Sequence, residues 1–399
     1  EHLVREETLS EEEDTTIFHP SEIELGQTVS RILEEVEHVK PHRVVLDSLS
    51  EIRLLSQSNL RYRKQILALK QYFTNRGATS LFLDDRTSEG NDLQLHSVPH
   101  GVIVLERRAP LYGAPRRRLE IIKLRGVDFR GGYHDFTIRR GGIELYPRLI
   151  AAQEGGDGAH GHLASGIAEI DALLGGGIEL GSSTLIMGPA GVGKSTLATQ
   201  YAVAAAKRGE KAALFIFDES RRSLLKRSAA VGMDLAGPLK SELITAQQVD
   251  PAELAPGEFA NLVREAVENG ARTLIIDSLN GYLNAMPEER FLTLHLHEML
   301  TYLGDRGVAT ILVMAQHGLI GSNMISSVDV SYLADCVILL RYYEAQGELH
   351  KAISVMKKRS GDHEKAIREF SMGKGGLNVG PPLKHFRGIL SGIPIVEDR

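Results

Sequence analysis

The sequence has a single cysteine, no long apolar run and no excess of basic residues. Cys336 cannot form an internal disulfide, which suits a reducing compartment, and we expect it to pack as a small apolar residue. No stretch approaches the roughly 18 apolar residues of a membrane-spanning helix, and the start, EHLVREETLS, has neither the basic flank nor the apolar centre of a signal peptide. The formal charge of −6 disfavours general attraction to nucleic acid or anionic membranes. The sequence therefore predicts a cytoplasmic protein.

The length of 399 residues is enough for two domains of ordinary size. A hydrophobic fraction of 42% and a charged fraction of 25% are typical of globular proteins. Because the first residue is Glu1 rather than Met, we expect the chain to begin inside a longer gene product. The acidic stretch REETLSEEED near this start is predicted to be a solvated segment.

Matches at a fixed offset indicate a duplicated domain. Six matched residue pairs differ by 234 positions: Lys123 and Lys357, Arg125 and Arg359, Asp128 and Asp362, Phe136 and Phe370, Gly141 and Gly375, and Gly142 and Gly376. Asp47 in VVLDSLS and Asp277 in LIIDSLN differ by 230. The segment GPAGVGKST occurs once, and its counterpart in the first repeat would fall before residue 1. We therefore predict two tandem copies, the first without its phosphate-loop portion.

The boundary between the copies is predicted at the glycine-rich residues 151–161. This divides the chain into a partial domain, 1–150, and a complete domain, 162–399. In the second domain, branched apolar runs such as AALFIF and TLIID alternate with helix-like segments, which indicates a mostly parallel sheet with helices on both faces. The later stretch CVILLRYYEAQGELHKAISVMKKR predicts an antiparallel extension. The predicted fold class is α/β.

Residues 188–195, GPAGVGKS, match the phosphate-loop pattern in its required context, after a strand and before a helix. Main-chain N–H groups would converge on phosphate oxygens, with Lys194 on the β and γ phosphates and Ser195 on Mg²⁺. The alternative is a glycine turn with an incidental lysine. The predicted ATP-binding residues are Gly188, Pro189, Ala190, Gly191, Val192, Gly193, Lys194, Ser195 and Thr196.

Acidic residues stand where predicted strands end, at the sheet edge where ligands of such folds bind. Asp277 would complete the Mg²⁺ site, although an aspartate there also suits a helix cap. Asp218 and Glu219 are candidates for the general base that polarises water or a hydroxyl, or else form a solvated helix start. Gln316, after the run ATILVMA, is either a sensor of the γ-phosphate or a loop amide.

The run SGIAEIDALLGGGIELGSSTLIMGPAGVGKSTLATQYA resembles the opening of a KaiC-type domain of the RecA and RadA superfamily of ATPases. The resemblance continues through FDESRRSLLKRS, IIDSLN and KKRSGDHEKAIREF, and residues 20–150 resemble the later two thirds of the first domain of tandem KaiC-like proteins. It implies two RecA-like P-loop domains, a hexameric ring and ATP held between subunits. It also implies that Asp218 and Glu219 are the catalytic acidic pair, acting with Lys194.

The resemblance further implies a Lys-x-Arg element that reaches the γ-phosphate of the adjacent subunit. Without the resemblance, the simpler interpretation is that Lys357 and Arg359 are ordinary surface residues on a strand. The residues implied to act on a neighbour's ATP are Lys357, Lys358, Arg359, Ser360, His363, Lys123 and Arg125.

The family includes a circadian clock protein that phosphorylates itself on adjacent serine and threonine residues. Ser331 matches the serine, whereas Tyr332 stands at the threonine position. Val231 stands where the clock protein has an aromatic residue beside its adenine. Serine autokinase activity is therefore a hypothesis that rests on Ser331 and the acidic pair.

Two other classes of function remain open. In the first, ATP switches a recombinase-like ring between DNA-bound and free states, with phosphate contacts from the arginines of ERRAPLYGAPRRRLE. The cluster also suits the solvated tip of a hairpin. In the second, a structural or signalling ring binds ATP with negligible turnover. Protein regulators are further candidate partners under any of these functions.

Overall fold

The computed structural model describes residues 20–56, 58–85, 96–109, 113–150, 161–250, 252–284, 292–316, 331–391 and 395–396. The chain divides into two compact units, one of Glu1–Ile103 with Ile121–Phe129 and the other of Val104–Glu120 with Arg130–Arg399. The predicted linker, apart from its last residue, and the acidic N-terminal stretch lie outside the described residues. A domain boundary at residues 151–161 therefore stays a prediction.

The first unit contains a two-stranded parallel sheet and three helices. The strands are β1, Arg43–Leu46, and β2, Thr79–Phe82. The helices are α1, Pro20–Val39, α2, Ser50–Ser56, and α3, Asn59–Asn75. The side chain of Ser58 caps α3, which buries Tyr62, Ile66, Leu69 and Phe73 at the three- and four-residue spacing of a helix face. These side chains form the core of the unit together with residues of α1 and α2.

One face of this small sheet is exposed. Val45 and Leu81 are paired across the two strands and are 57% and 55% exposed. Their counterparts 230 positions later, Ile275 and Ile311, are also paired, but they are buried in the core that includes residues of the helix Lys194–Lys207. The described part of the first repeat therefore covers only one face of its sheet.

A second sheet contains β3, Gly101–Arg108, β4, Arg116–Leu124, β5, Tyr133–Arg139, and β6, Gly142–Tyr146, in that order. Strands β4, β5 and β6 are antiparallel. Within the second unit, the Asp135 carboxylate accepts a hydrogen bond from the backbone N–H of Gly257 at 2.7 Å. Arg139 donates to Glu258 at 2.9 Å. The β5–β6 hairpin is thus held at the start of a helix, where a carboxylate is favoured.

A nine-stranded sheet forms the centre of the second unit. Its strands are β9, Ser183–Gly188, β10, Lys211–Ile216, β11, Ile244–Gln248, β12, Ala271–Asp277, β13, Ala309–Ala315, β14, Cys336–Ala345, β15, Glu348–Lys358, β16, Arg368–Gly373, and β17, Gly376–Pro382. The spatial order is β11-β10-β12-β13-β9-β14-β15-β16-β17. The first six are parallel, and β14 to β17 pair antiparallel. Short pairs are formed by β7, His162–Leu163, with β8, Ile178–Glu179, and by β18, Phe386–Arg387, with β19, Ile395–Val396.

Helices cover both faces of the parallel strands. They are α4, Ala168–Leu173, α5, Lys194–Lys207, α6, Arg221–Ala230, α7, Ala236–Lys240, α8, Pro256–Glu268, α9, Leu279–Asn284, and α10, Leu292–Asp305. Residues of α4, α5 and α6 lie in one hydrophobic core, and residues of α8, α9 and α10 lie in another. Small residues let α5 pack closely on the sheet, since Ala198, Ala202 and Ala205 are almost fully buried.

These features confirm the predicted α/β class with RecA-like P-loop topology and an antiparallel extension. Cys336 is buried, as expected for a small apolar residue. Within the described ranges, no helix is both long and apolar enough to cross a membrane.

Candidate nucleotide-binding site

The phosphate loop connects β9 to α5 and depends on glycine for its shape. Gly188, Gly191 and Gly193 all have positive φ angles, of 155°, 75° and 118°. A Cβ on Gly188 would lie 2.4 Å from the carbonyl oxygen of Leu340. Because α5 begins immediately after Gly193, which has no side chain to cap it, the first N–H groups of the helix are suited to an anion.

Lys194 is the first residue of α5 and is only 7% exposed. Its Nζ donates a hydrogen bond to the carbonyl oxygen of Pro189, within the same loop, at 2.7 Å. Burial lowers the pKa of Lys194 to about 8, and the charge of Asp277 opposes this shift. A buried ammonium held against a glycine-rich loop is suited to pair with phosphate.

Asp277 ends β12, beside the side chain of Ser195. Burial raises the pKa of Asp277 to about 6, and the interaction with Ser195 and the charge of Arg227 oppose this shift. A serine hydroxyl and a carboxylate side by side are oxygen ligands of the kind that Mg²⁺ takes, with phosphate and water oxygens completing its shell. The described residues contain no group of three or more His, Cys, Asp or Glu side chains that could hold a metal. The proposed Mg²⁺ site does not require such a group, because phosphate and water oxygens would supply its other ligands.

The acidic pair follows β10 on the adjacent strand. Asp218 accepts a hydrogen bond from the Ser278 hydroxyl. Glu219 forms an ion pair with Arg227, whose Nη2 lies 2.6 Å from Oε1. Since β10 and β12 are neighbouring parallel strands, the pair lies at the same sheet edge as Asp277.

Gln316 immediately follows β13, and its backbone N–H donates to the Gly188 carbonyl at 3.0 Å. Its side-chain Oε1 is buried, with no hydrogen-bond partner among the residues that the structure describes. The residue before it, Ala315, is fixed by two hydrogen bonds with the Asn280 side chain, of 3.1 and 2.7 Å. The amide of Gln316 is thus held beside the phosphate loop, where its Oε1 atom can accept a hydrogen bond from a donor such as water and its NH₂ group can donate to a phosphate.

The Lys-x-Arg element of the second repeat contacts the segment before β14. Lys357 donates to the carbonyl oxygens of Ser331 at 3.2 Å and Ala334 at 2.8 Å. Arg359 donates to the Tyr332 carbonyl at 2.6 Å and to the Asp335 carboxylate at 3.1 Å. The other implied residues differ: Lys358 donates to the Leu174 carbonyl at 2.5 Å, Ser360 bonds to Glu179, and His363 is half-buried.

The first repeat has the same arrangement. Lys123 donates to the carbonyl oxygen of His96, and Arg125 donates to that of Ser97 at 2.9 Å. Burial and the charges of Arg125 and Lys70 lower the pKa of Lys123. Each Lys-x-Arg pair therefore holds main-chain carbonyls of a segment that lies 23 to 28 residues before it.

The arginine cluster considered for DNA is only partly described, because residues 110–112 lie outside the described ranges. Arg118 donates to Glu106 at 3.4 Å, and its guanidinium lies 4.3 Å from the centre of the Tyr133 ring. Arg118 is therefore engaged within its own sheet. For the cluster as a whole, DNA binding stays a prediction.

The parallel sheet with a phosphate loop at its carboxyl edge is that of a RecA-like P-loop ATPase. The chain belongs to the KaiC ATPase family: the family model described as "ATPase: KaiC" matches residues 1–150 and 163–384. This match confirms the resemblance to KaiC-type domains and the prediction that the protein is an ATP-binding ATPase.

Curated relatives agree with this family. The chain is 27% identical over 379 residues to the circadian clock protein KaiC3 of Synechocystis sp., a match that covers 94% of this chain and 75% of the relative. It is 27% identical over 377 residues to the circadian clock oscillator protein KaiC of Synechococcus elongatus, covering 93% and 72%. The corresponding protein of Acaryochloris marina is 27% identical over 378 residues, covering 94% and 72%.

Proposed function

We propose that the protein hydrolyses ATP at interfaces between the subunits of a homo-oligomeric, hexameric ring. The observation that carries this proposal is the gathering of the phosphate loop, Asp277 and the acidic pair at one sheet edge. The cationic pair Lys357 and Arg359 does not join this group, because the hydrogen bonds described for it go to residues 331–335. We therefore assign these cations to the ATP site of a neighbouring subunit.

The binding role falls to the phosphate loop. Lys194 exchanges the Pro189 carbonyl for phosphate oxygens, and main-chain N–H groups from Gly191 to Thr196 surround the triphosphate. Ser195 and Asp277 hold Mg²⁺, which when bound neutralises negative charge that develops on the phosphates. The burial of Lys194 and the partial burial of Asp277 support these roles, because charges shielded from water interact more strongly than in water.

The hydrolytic role falls to Glu219, with Asp218 beside it. The Glu219 carboxylate orients a water for attack on the γ-phosphorus and accepts its proton, while the bond from the γ-phosphorus to the bridging oxygen breaks and ADP leaves. The side-chain NH₂ group of Gln316 donates a hydrogen bond to the γ-phosphate. Lys357 and Arg359 of a neighbouring subunit, with Lys358, Ser360 and His363 nearby in sequence, stabilise the charge of the transition state. Lys123 and Arg125 serve a neighbour's site in the same way.

Substitution of the proposed base tests hydrolysis separately from binding. We expect Glu219→Gln to bind ATP with Mg²⁺ as the parent does while phosphate release falls by roughly 100-fold or more. Phosphate release at the parent rate would show that Glu219 is not the base. Tight binding with negligible turnover in the parent itself would favour the signalling alternative.

A second candidate function is serine autophosphorylation at Ser331. It is favoured by the hydrogen bonds that Lys357 and Arg359 make to the Ser331 and Tyr332 carbonyls, because cations that approach a neighbour's γ-phosphate would bring Ser331 with them. The Ser331 hydroxyl would attack the γ-phosphorus, its proton would pass to the neighbour's acidic pair, and the bond to the β-phosphate would break to release ADP. Incubation with γ-labelled ATP should label the parent but not Ser331→Ala, and an unlabelled parent removes this function.

A further inference from the structure

The guanidinium of Arg227 bridges the proposed base and the phosphate-loop helix. Nη2 lies 2.6 Å from Oε1 of Glu219 and Nε lies 3.4 Å from Oε2. Nη1 donates to the hydroxyl of Thr196 at 3.2 Å. We propose that Arg227 is a positioning residue, which sets the place of the Glu219 carboxylate relative to the first turn of α5. This inference rests on the proposed role of Glu219 in hydrolysis.

The course of the chain explains how Arg227 reaches back to Glu219. Glu219 precedes Ser220, which caps α6 by accepting a hydrogen bond from the Ser223 N–H at 3.2 Å. Arg227 lies in the last turn of α6, roughly 10 Å beyond Ser220 along the helix axis at 1.5 Å per residue. Long side chains of helical residues point toward the N-terminus of their helix, so the extended Arg227 side chain runs back beneath the cap.

The chemistry requires arginine in particular. A guanidinium presents its N–H donors in a rigid planar fork, so one edge can hold the carboxylate while another nitrogen holds the hydroxyl. A lysine ammonium is a point charge on a flexible stem and does not fix two partners at a set separation. Both members of the ion pair are partly shielded from solvent, with 26% of the Arg227 side chain and 23% of the Glu219 side chain exposed.

The hydrogen bond from Arg227 to the Thr196 hydroxyl distinguishes this contact from an ordinary ion pair, because it also joins the guanidinium to α5. Thr196 is 4% exposed and lies in the first turn of α5, two residues after Lys194. A carboxylate tethered to this turn moves with the phosphate loop, so the base keeps its distance from the phosphates that the loop holds. A structural clamp alone would join α5 and α6 without any influence on the base.

A double-mutant cycle separates these roles. The proteins are the full chain, Arg227→Gln, Arg227→Lys, Glu219→Gln and the double variant Glu219→Gln with Arg227→Gln. Arg222→Gln, at an exposed position on the same helix, is the matched control. For each protein, kcat and KM are measured by phosphate release, ATP affinity with Mg²⁺ by titration, and folding by thermal unfolding.

We expect Arg227→Gln to lower kcat by roughly tenfold with KM and ATP affinity within about twofold of the parent. Arg227→Lys should restore little of the loss, and Arg222→Gln should match the parent. In the Glu219→Gln background, Arg227→Gln should change the residual kcat by less than about twofold, because the group that it positions is already absent.

Several results overturn the inference. If the fold-loss in kcat of the double variant equals the product of the losses of the two single variants, Arg227 acts independently of Glu219. A rise in kcat in Arg227→Gln shows that the ion pair restrains the base. If Arg227→Gln fails to fold, the test uses Arg227→Lys. A parent-like kcat in Arg227→Lys then rejects the inference. Parent-like turnover in Glu219→Gln instead rejects the proposed base.

Discussion

The Ser195 side chain lies beside the carboxylate of Asp277 and lowers its pKa, which places the phosphate loop next to the end of the acidic strand β12. The two residues lie 82 positions apart (277 minus 195). They meet because β9 and β12 both pair with β13 in parallel, which brings the carboxyl ends of the strands to one edge.

Lys194→Ala should weaken ATP binding. The ammonium is buried against the loop, and loss of a hydrogen bond to a charged partner costs about 1.5–3 kcal/mol, or roughly 10-fold to 100-fold in Kd. Titration of nucleotide with Mg²⁺ measures this. Lys207→Ala, an exposed position at the other end of α5, is the control and should bind normally. Unchanged affinity in Lys194→Ala would contradict the phosphate-loop assignment.

Gly188→Ala should destabilise the second domain much more than Gly209→Ala. Both glycines have positive φ, but a Cβ on Gly188 meets the Leu340 carbonyl at 2.4 Å, whereas a Cβ on Gly209 meets no atom within 4 Å. We expect a loss of about 2–4 kcal/mol at Gly188 and about 1 kcal/mol at Gly209 in the free energy of unfolding. Denaturant titration compares them. Equal losses would mean that the close approach of β14 to the loop is wrong.

Asp277→Asn should stabilise the nucleotide-free protein at neutral pH. Burial raises the pKa of Asp277 to about 6, so the folded state binds its proton more tightly than the unfolded chain does. The parent therefore loses stability as pH rises from about 4 to 6, by about 1–3 kcal/mol, and keeps this penalty above pH 6.

The asparagine variant has no such penalty, so the Tm difference between variant and parent should grow from pH 4 to 6 and then stay constant. Magnesium-dependent ATP binding should weaken in the same variant, since Asn lacks the charge. A Tm difference that does not change with pH would show that Asp277 is not desolvated.

Local patterns in the sequence were sufficient for the fold class and for the loop. The residues of GPAGVGKST are consecutive, and Asp218, Glu219, Asp277 and Gln316 each end or follow an apolar strand, so sheet topology alone gathers them. Arg227 was missed because an arginine on a helix is usually a solvated residue, and its contact depends on the reach of the side chain back past the cap of α6.

The sequence also could not predict that one face of the sheet formed by β1 and β2 is exposed. The run VVL in the first repeat has the composition of a buried strand, and burial depends on which elements cover it. In the second repeat the corresponding face packs in the same core as α5, whereas Val45 and Leu81 remain exposed in the described structure. Repetition of residues predicts a common fold, but it does not predict equal packing.

Mixing of two inactive variants tests shared sites most directly. Glu219→Gln keeps Arg359 but loses the proposed base, and Arg359→Ala keeps the base but loses the cation. Each alone should release little phosphate. After co-assembly with ATP and Mg²⁺, about a quarter of interfaces in a randomly mixed ring would join an intact base to an intact Arg359, so turnover should recover to roughly that fraction of the parent. The double variant, mixed in the same way with either single variant, is the control and should restore nothing. A mixture no more active than the sum of its separate components would contradict a site completed by a second copy of the chain.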